Sequence, residues 1–336
     1  MKVCVLGAGT WGMALTYLLA RNGHQVSCWG RNSDQIAELK SKGNHPKLPP
    51  CNWKGVTDPQ IHYTTELEEA IQDASIIVEA VTAQGLPKLL QRIHPLIRSN
   101  TPFVVTSKGI EQETGLILPE VALRELGESM RPSIGVVSGP GYASEIVRGL
   151  PASVVCSAYS EGTMRTISEL FTQRNFRVYP NADLIGVSLG GALKNVVAIA
   201  CGISQGLGFG HGALAALLTR GLHEMRKLAL AMGGQSETLN GLAGMGDFFL
   251  TCSSPLSRNY RFGHLIAQGH TIETAKQEIG MVVEGIYTCL STLQQAKKLG
   301  VNVPITENVD AILHGEISPS DAVARLMMRT VKDEHL

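Results

Sequence analysis

Lys2-Val3-Cys4-Val5-Leu6, then Gly7-Ala8-Gly9-Thr10-Trp11-Gly12, then Met13-Ala14-Leu15 open the chain, and the order of these three pieces decides the fold. A short β-branched run followed by G-x-G-x-x-G and an apolar helical stretch is the dinucleotide-binding turn in the context it requires: strand before, helix after, within about 30 residues. The first glycine allows the tight turn, the second admits a pyrophosphate to the backbone, and the third lets helix and strand pack closely. The phosphates then meet free N–H groups and the positive end of the helix dipole. A bare glycine-rich βα turn would look similar, but a second strand at Gln25–Trp29 completes the unit.

Outward from that turn, strand-like runs recur at Ile61–Tyr63, Ser75–Val78, Phe103–Thr106, Ile134–Ser138, Ala152–Ser157 and Phe176–Tyr179. Helical patterns lie between several of them. Gly23 closes the helix that begins at Trp11, and Thr65-x-x-Glu68 reads as a capping box for one ending near Asp73. This alternation predicts a mostly parallel, Rossmann-like sheet with helices on both faces. After Asp183 no convincing strand appears. Apolar-periodic segments at Leu184–Ile203, Ala213–Met232, Asn259–Gln268, Val283–Leu299, Pro304–His314 and Pro319–Met328 predict helices, the last opened by Ser318-Pro319 with Asp321. The expected division is α/β: a dinucleotide-binding domain over 1–183 and an all-α substrate and catalytic domain over 184–336.

Composition agrees. At 336 residues the chain buries roughly three quarters of its unfolded surface, enough for a core without disulfides or metals. Lys plus Arg equals Asp plus Glu at 29 each, which argues against a nucleic-acid binder that relies on a basic field. Seven cysteines without a C-x-x-C pair predict a reducing, cytoplasmic setting and no structural metal. The uncharged stretches Val3–Ala20 and Asn195–Thr219 are broken by glycines, so no integral membrane segment is expected. The tail Lys332-Asp333-Glu334-His335-Leu336 resembles a retention signal in composition but not in order.

Two positions bear on the cofactor and the chemistry. After the second strand the chain reads Trp29-Gly30-Arg31-Asn32, without the carboxylate that accepts a ribose 2′-hydroxyl bond; Arg31 would pair with a 2′-phosphate, so NADPH is expected, with NADH use possible. A solvated turn arginine is the plainer alternative. In Gly190-Gly191-Ala192-Leu193-Lys194-Asn195, Lys194 either snorkels to the surface or is desolvated so that it can trade a proton with a substrate oxygen. Lys108, in Thr106-Ser107-Lys108-Gly109, follows a strand C-terminus, the edge where ligands bind in open α/β sheets. Gly244-Met245-Gly246-Asp247 with Thr251 offers an orienting carboxylate and a hydroxyl on a glycine-rich loop, and Ser257-Arg258-Asn259 a guanidinium at a helix start, suited to phosphate.

In order along nearly the whole chain, these blocks, with Ser138-Gly139-Pro140, Leu250-Thr251-Cys252 and Val282-Val283-Glu284-Gly285, resemble the bacterial-type NAD(P)-dependent glycerol-3-phosphate dehydrogenases. The resemblance implies reversible reduction of dihydroxyacetone phosphate to sn-glycerol 3-phosphate by a homodimer, supplying glycerol 3-phosphate for glycerophospholipid synthesis. It implies Lys194 as proton donor and acceptor, Lys108 as a second cation touching substrate and cofactor, and Asn195, Asp247 and Thr251 as the polar shell. Ser257, Arg258 and Asn259 would hold substrate phosphate, Arg258 also lying near the cofactor. Gly139 and Gly141 would contact substrate, and Thr10, Trp11, Arg31, Ala143, Val282 and Glu284 the dinucleotide. The chain departs from the pattern at Gly141, where a hydroxyl residue is usual, at Glu79-Ala80-Val81-Thr82, where a more apolar, Pro-containing turn is usual, and at Gly212 and Leu214. A β-hydroxyacid or phosphogluconate-type dehydrogenase is the enzymatic alternative, and a non-catalytic NADPH sensor the other.

Overall fold

The computed structural model describes residues 1–52, 59–331 and 333, so the Lys332–Leu336 tail lies outside the described residues apart from Asp333. Among the described residues, eight strands form one sheet: β1 (Lys2–Leu6), β2 (Gln25–Trp29), β3 (Ile61–Thr64), β4 (Ile76–Glu79), β5 (Phe103–Val105), β6 (Ile134–Ser138), β7 (Ala152–Ala158) and β8 (Phe176–Pro180). Their spatial order is β3-β2-β1-β4-β5-β6-β7-β8. The order reverses at β1, whose Leu6 stands opposite Trp29 on one side and Glu79 on the other. A crevice outside the C-terminal ends of the strands at such a switch point is where ligands bind.

Among the described residues, seven helices accompany the strands: α1 (Thr10–Arg21), α2 (Ser33–Lys42), α3 (Leu67–Ile71), α4 (Leu86–Ile93), α5 (Leu118–Leu126), α6 (Ala143–Arg148) and α7 (Glu161–Phe171). The expected capping box of α3 does not form. Its cap position is Glu66, while the neighbouring Thr64 hydroxyl accepts from Glu66 N (3.0 Å) and donates to the Glu69 carboxylate. Thr65 sits one residue too early to reach the helix donors.

All neighbouring strands run parallel except β6 and β7. That reversal has a structural effect: β7 and β8 carry the chain back toward the N-terminal edge of the sheet. From there α8 (Leu184–Gly206) climbs beside it, its base fixed by Asp183, which accepts Gly186 N through Oδ1 and Gln235 N through Oδ2, both at 2.8 Å. By Gly191 the helix has reached the end of β6, where an added Cβ would lie 2.4 Å from Ser138 Oγ. Lys194 therefore arrives at the ligand edge in mid-helix.

The remaining helices are α9 (His211–Ala231), α10 (Ser236–Asn240), α11 (Asp247–Cys252), α12 (Arg258–Ala267), α13 (Ile272–Ile279), α14 (Glu284–Leu299), α15 (Pro304–Leu313) and α16 (Pro319–Met327). Ser318 caps α16 as expected, accepting Asp321 N at 3.1 Å while the Asp321 carboxylate accepts Ser318 N at 3.3 Å. The segment read as a glycine-rich loop is instead a π-type turn, Leu242–Gly246, running directly into α11.

Nineteen of the 23 residues of α8 are buried, because it packs on the sheet, α9 and α11 with one face and on α12, α14 and α15 with the other. A helix surrounded in this way reads as apolar all round. It is the only one among the described residues long and apolar enough to cross a membrane, and 89% of its most apolar window is buried inside the protein. Its crossing with α12 is at backbone contact: a Cβ on Gly202 would meet Tyr260 O at 1.9 Å, and one on Gly263 would meet Ile199 O at 2.0 Å.

Candidate active site

The first wall of the site is the turn after β1. Gly7 adopts φ +131°, and a Cβ there would lie 2.5 Å from Ala80 O, so no other residue fits. A Cβ on Gly12 would strike Gly7 O at 1.8 Å, whereas one on Gly9, the exposed N-cap of α1, would point into open space. The backbone is thus closed against the sheet and open toward the crevice, the shape a pyrophosphate needs at a helix N-terminus. The half-buried Trp11 donates its indole N–H to Thr106 Oγ1 (3.0 Å), and the ring edge lies close to Gly141. Thr10 opens α1 and Ala143 opens α6, which packs on α1.

At the end of β2 the buried Gly30 touches Ala8 and Ile36, and the exposed Arg31 follows. Asn32 is committed to capping α2 through Gln35 N (2.9 Å), which leaves Arg31 as the charge offered at that position.

The second wall is built around one carboxylate. Asp247, 1% exposed, places Oδ1 2.5 Å from Lys194 Nζ and Oδ2 2.5 Å from Lys108 Nζ. Lys194 also donates to Thr251 Oγ1 (2.6 Å), one turn along α11, and Lys108 to Gly139 O (3.1 Å). Four elements are needed to converge these groups. The π-type turn delivers Asp247, α8 delivers Lys194, the β5 turn delivers Lys108, and Gly139, at φ +134°, presents its carbonyl. Two ammonium groups on one carboxylate leave a positive charge over, which favours an anionic substrate or a developing oxyanion. Burial pulls the Lys194 ammonium down to about 8; the Asp247 carboxylate opposes that fall and Lys108 adds to it. The snorkelling alternative is excluded, since Lys194 is only 5% exposed.

The third wall comes from α12 and α14. Ser257 caps α12 (Tyr260 N at 3.3 Å), and Arg258 is exposed beyond it with Nη1 donating to Val282 O (2.9 Å). Asn195, expected in the polar shell of the lysine, and Asn259, expected at the substrate phosphate, are joined to each other: Asn259 Nδ2 donates to Asn195 Oδ1 and Asn259 Oδ1 accepts Gly285 N, both at 2.9 Å. They tie α8, α12 and α14 together one residue from Lys194 and one from Arg258. Glu284, at the start of α14, accepts from Gln84 Nε2 (3.1 Å) across the crevice.

Sequence reading did not single out Tyr142 or Gln84, and it quoted Ser107 as the neighbour of Lys108 without giving it a role. The Tyr142 hydroxyl donates to Leu250 O (2.9 Å), fastening the turn after β6 to α11. Ser107 donates to Glu79 Oε2 (2.7 Å). The departure at Glu79 was the available signal for the latter, since a carboxylate ending an apolar strand at a ligand edge demands partners.

Comparison with known proteins fits this geometry. Residues 2–164 match the family model described as NAD-dependent glycerol-3-phosphate dehydrogenase N-terminus, and residues 183–324 the corresponding C-terminus. The chain is 51% identical over 335 residues to a glycerol-3-phosphate dehydrogenase [NAD(P)+] of Protochlamydia amoebophila, covering 100% of this chain and 99% of that one. Among solved structures, a glycerol-3-phosphate dehydrogenase from Coxiella burnetii superposes with a TM-score of 0.90 at 36% identity, covering 98% and 99% of the two chains. A D-mandelate dehydrogenase superposes with a TM-score of 0.65 at 17% identity, covering 96% of this chain and 100% of that one, which is a likeness of fold alone.

Proposed function

The chain belongs to the NAD-dependent glycerol-3-phosphate dehydrogenase family, and from that premise we propose that it interconverts dihydroxyacetone phosphate and sn-glycerol 3-phosphate with NAD(P)H, the glycerol 3-phosphate serving lipid synthesis. The observation that carries this is the buried Lys194 ammonium, held by Asp247 and Thr251 at the ligand edge of the sheet. Two of its three N–H donors are committed there, leaving one for the substrate oxygen. A bound reduced nicotinamide supplies the hydride. As charge grows on the ketone oxygen, Lys194 stabilises it and gives up its proton; in the reverse direction the neutral amine takes the hydroxyl proton. Lys108 contributes the second positive charge and fixes the carboxylate. Arg258, with the start of α12, is assigned to the substrate phosphate, and Gly139 and Gly141 to backbone contact with substrate. Gly7, Gly9, Thr10, Trp11, Gly12, Ala143, Val282 and Glu284 are assigned to the dinucleotide. The absence of a carboxylate after β2 and the exposed Arg31 favour NADPH, with NADH accepted.

The proposed division of labour is cofactor binding by residues 1–183 and substrate binding by 184–336, in keeping with the change from alternating strands and helices to helices alone at Leu184. We propose a cytoplasmic homodimer. Seven unpaired cysteines favour the reducing compartment, and the exposed apolar side chains Met245, Phe249 and Leu256 favour a partner copy. The deciding experiment is NADPH oxidation with dihydroxyacetone phosphate, compared with dihydroxyacetone and 3-oxoacids. Rapid turnover of the phosphorylated ketone alone is expected; preference for an oxoacid would move the enzyme to the hydroxyacid dehydrogenases, and no turnover of any would favour a sensor.

A further inference from the structure

Glu79 is the last residue of β4 and has no exposed surface. Its neighbours in register are the apolar Leu6 on β1 and Val105 on β5. A buried carboxyl group is tolerated only when hydrogen-bonded, and the two oxygens of Glu79 are shared between two different turns. Oε1 accepts Val81 N at 2.7 Å, in the turn after its own strand. Oε2 accepts Ser107 Oγ at 2.7 Å and lies 3.4 Å from the N atoms of Thr106 and Ser107, in the turn after β5. The backbone repeats the link, since Thr106 Oγ1 donates to Glu79 O at 2.6 Å.

Each turn leads to a part of the active site. The first carries Ala80, whose carbonyl forms the floor under Gly7 and so sets the depth of the dinucleotide cradle. The second continues into Lys108, which pairs with Asp247 and through it faces Lys194. We propose that Glu79 is a positioning residue of this enzyme: through Oε2 it sets the Ser107–Lys108 turn, and through Oε1 it sets the Ala80–Val81 wall of the cofactor cradle. This rests on the dehydrogenase reading above.

Every named partner of the carboxyl group is a donor, so its ionised form, which only accepts, is the one that fits. Protonation introduces a hydrogen among donors and forces the Ser107 hydroxyl to turn. Burial is the dominant influence and pushes Glu79 up to about 7 against the bonds from Ser107, Val81 and Thr106, placing the change within the working range. Of the charged groups reached from the two turns, Lys108 after β5 pairs with Asp247 of α11, which also holds Lys194 of α8, and Glu284 of α14 accepts from Gln84. On α4, Lys88 and Arg92 are exposed, Arg92 lying over the Trp29 ring. The two ends of the pH profile are thereby separable. Reduction needs protonated Lys194 and declines above about 8, whereas loss of the Glu79 carboxylate causes a decline below about 7.

The test uses the full-length protein as wild type, Glu79→Gln, Glu79→Ala and Ser107→Ala. NADPH affinity by fluorescence titration and kcat for dihydroxyacetone phosphate reduction are followed from about pH 6 to 9. Gln keeps an acceptor for Val81 but turns an NH₂ toward Ser107. Its NADPH affinity should therefore stay within about threefold of wild type while kcat falls by about tenfold and the acid decline disappears, the scale of one lost charge-assisted bond. Ala loses both contacts, and NADPH affinity should fall about tenfold as well. Ser107→Ala, which leaves the carboxyl group in place, should lower kcat without moving NADPH affinity, and it decides the matter if the Glu79 variants do not fold. A folded Glu79→Gln or a Ser107→Ala with wild-type kcat and an unaltered acid limb overturns the proposal, as does damage confined to melting temperature. Wild-type turnover in the same series tests the activity itself; were it absent, the Gln and Ala contrast in NADPH affinity would still decide the role of Glu79.

Discussion

Replacing Asp247 with asparagine removes the one negative charge that two lysines share while keeping the size of the side chain. In the wild type, burial lowers Lys194 to about 8 and the Asp247 carboxylate is the largest influence holding it up. An opposite charge at such a distance is worth about 1 to 3 pKa units, so in the variant Lys194 should titrate at roughly 5 to 7. At pH 7.5 the protonated fraction then drops from about three quarters to between about a quarter and a few tenths of a percent. From protonation alone, kcat/KM for dihydroxyacetone phosphate reduction should fall by roughly 3-fold to more than 200-fold, with the alkaline limb of its profile displaced downward by the same 1 to 3 units. The acid limb of glycerol 3-phosphate oxidation, which needs the neutral amine, should move with it. Circular dichroism must first show that the variant folds, because breaking a buried ion pair costs about 3–5 kcal/mol. A folded Asp247→Asn whose limbs stay where the wild type has them would refute the assignment of that titration to Lys194.

Three further outcomes are expected. Wild type should have the higher kcat/KM with NADPH than NADH, and Arg31→Asp should reverse or flatten that ratio; equal use of both cofactors by wild type would remove Arg31 from the 2′-phosphate site. Arg258→Ala should lower kcat/KM for dihydroxyacetone phosphate by roughly 10- to 150-fold, the worth of about 1.5–3 kcal/mol of charge-assisted bonding, yet affect unphosphorylated dihydroxyacetone far less. Proportional losses with both substrates would reassign Arg258 to the cofactor or the fold. Glu224, buried on α9, accepts Ile305 N (2.8 Å), Thr306 N (3.0 Å) and Thr306 Oγ1 (2.6 Å) at the start of α15, and burial raises it from 4.5 to about 6. The folded state thus binds its proton more tightly than the unfolded state does, so this stabilising contribution is full below about 4.5 and gone above about 6. Urea titrations should show the stability advantage of wild type over Glu224→Gln shrinking by about 2 kcal/mol across that window, and a constant difference would contradict it.

What could be read in the sequence follows from what apolar patterning encodes. All eight strands were visible because β-branched runs such as Ile76–Val78 and Val104–Val105 stand between polar punctuation. The direction of β7 and β8 was not, since burial alternation is the same for a parallel and an antiparallel strand. Gly244 and Gly246 suggested a loop, whereas Gly244 serves close packing inside a helical turn: a Cβ there would lie 2.2 Å from Leu239 O. The short α13 was missed because few of its residues are apolar, although Thr271 caps it through Thr274 N (3.2 Å). Lys194, Asp247 and Arg258 were legible as unusual residue types in glycine-rich or helix-start settings. That both carboxylate oxygens of Asp247 are taken, one by each lysine, depends on the tertiary meeting of α8, α11 and the β5 turn, which local spacing does not contain.

The climb of α8 from the far edge of the sheet makes Lys194 the load on a lever. Between its anchored base at Leu184 and Lys194 the helix rises roughly 15 Å, at about 1.5 Å per residue. A tilt of about 4° would swing the ammonium by about 1 Å, a misplacement that can slow an enzyme on the order of a hundredfold. The backbone contacts at Gly202 and Gly263 act as the bearing that holds this angle. Tolerance for reaction geometry is therefore set well away from the reacting atoms, and a methyl group added at either glycine would be read out as a loss of aim.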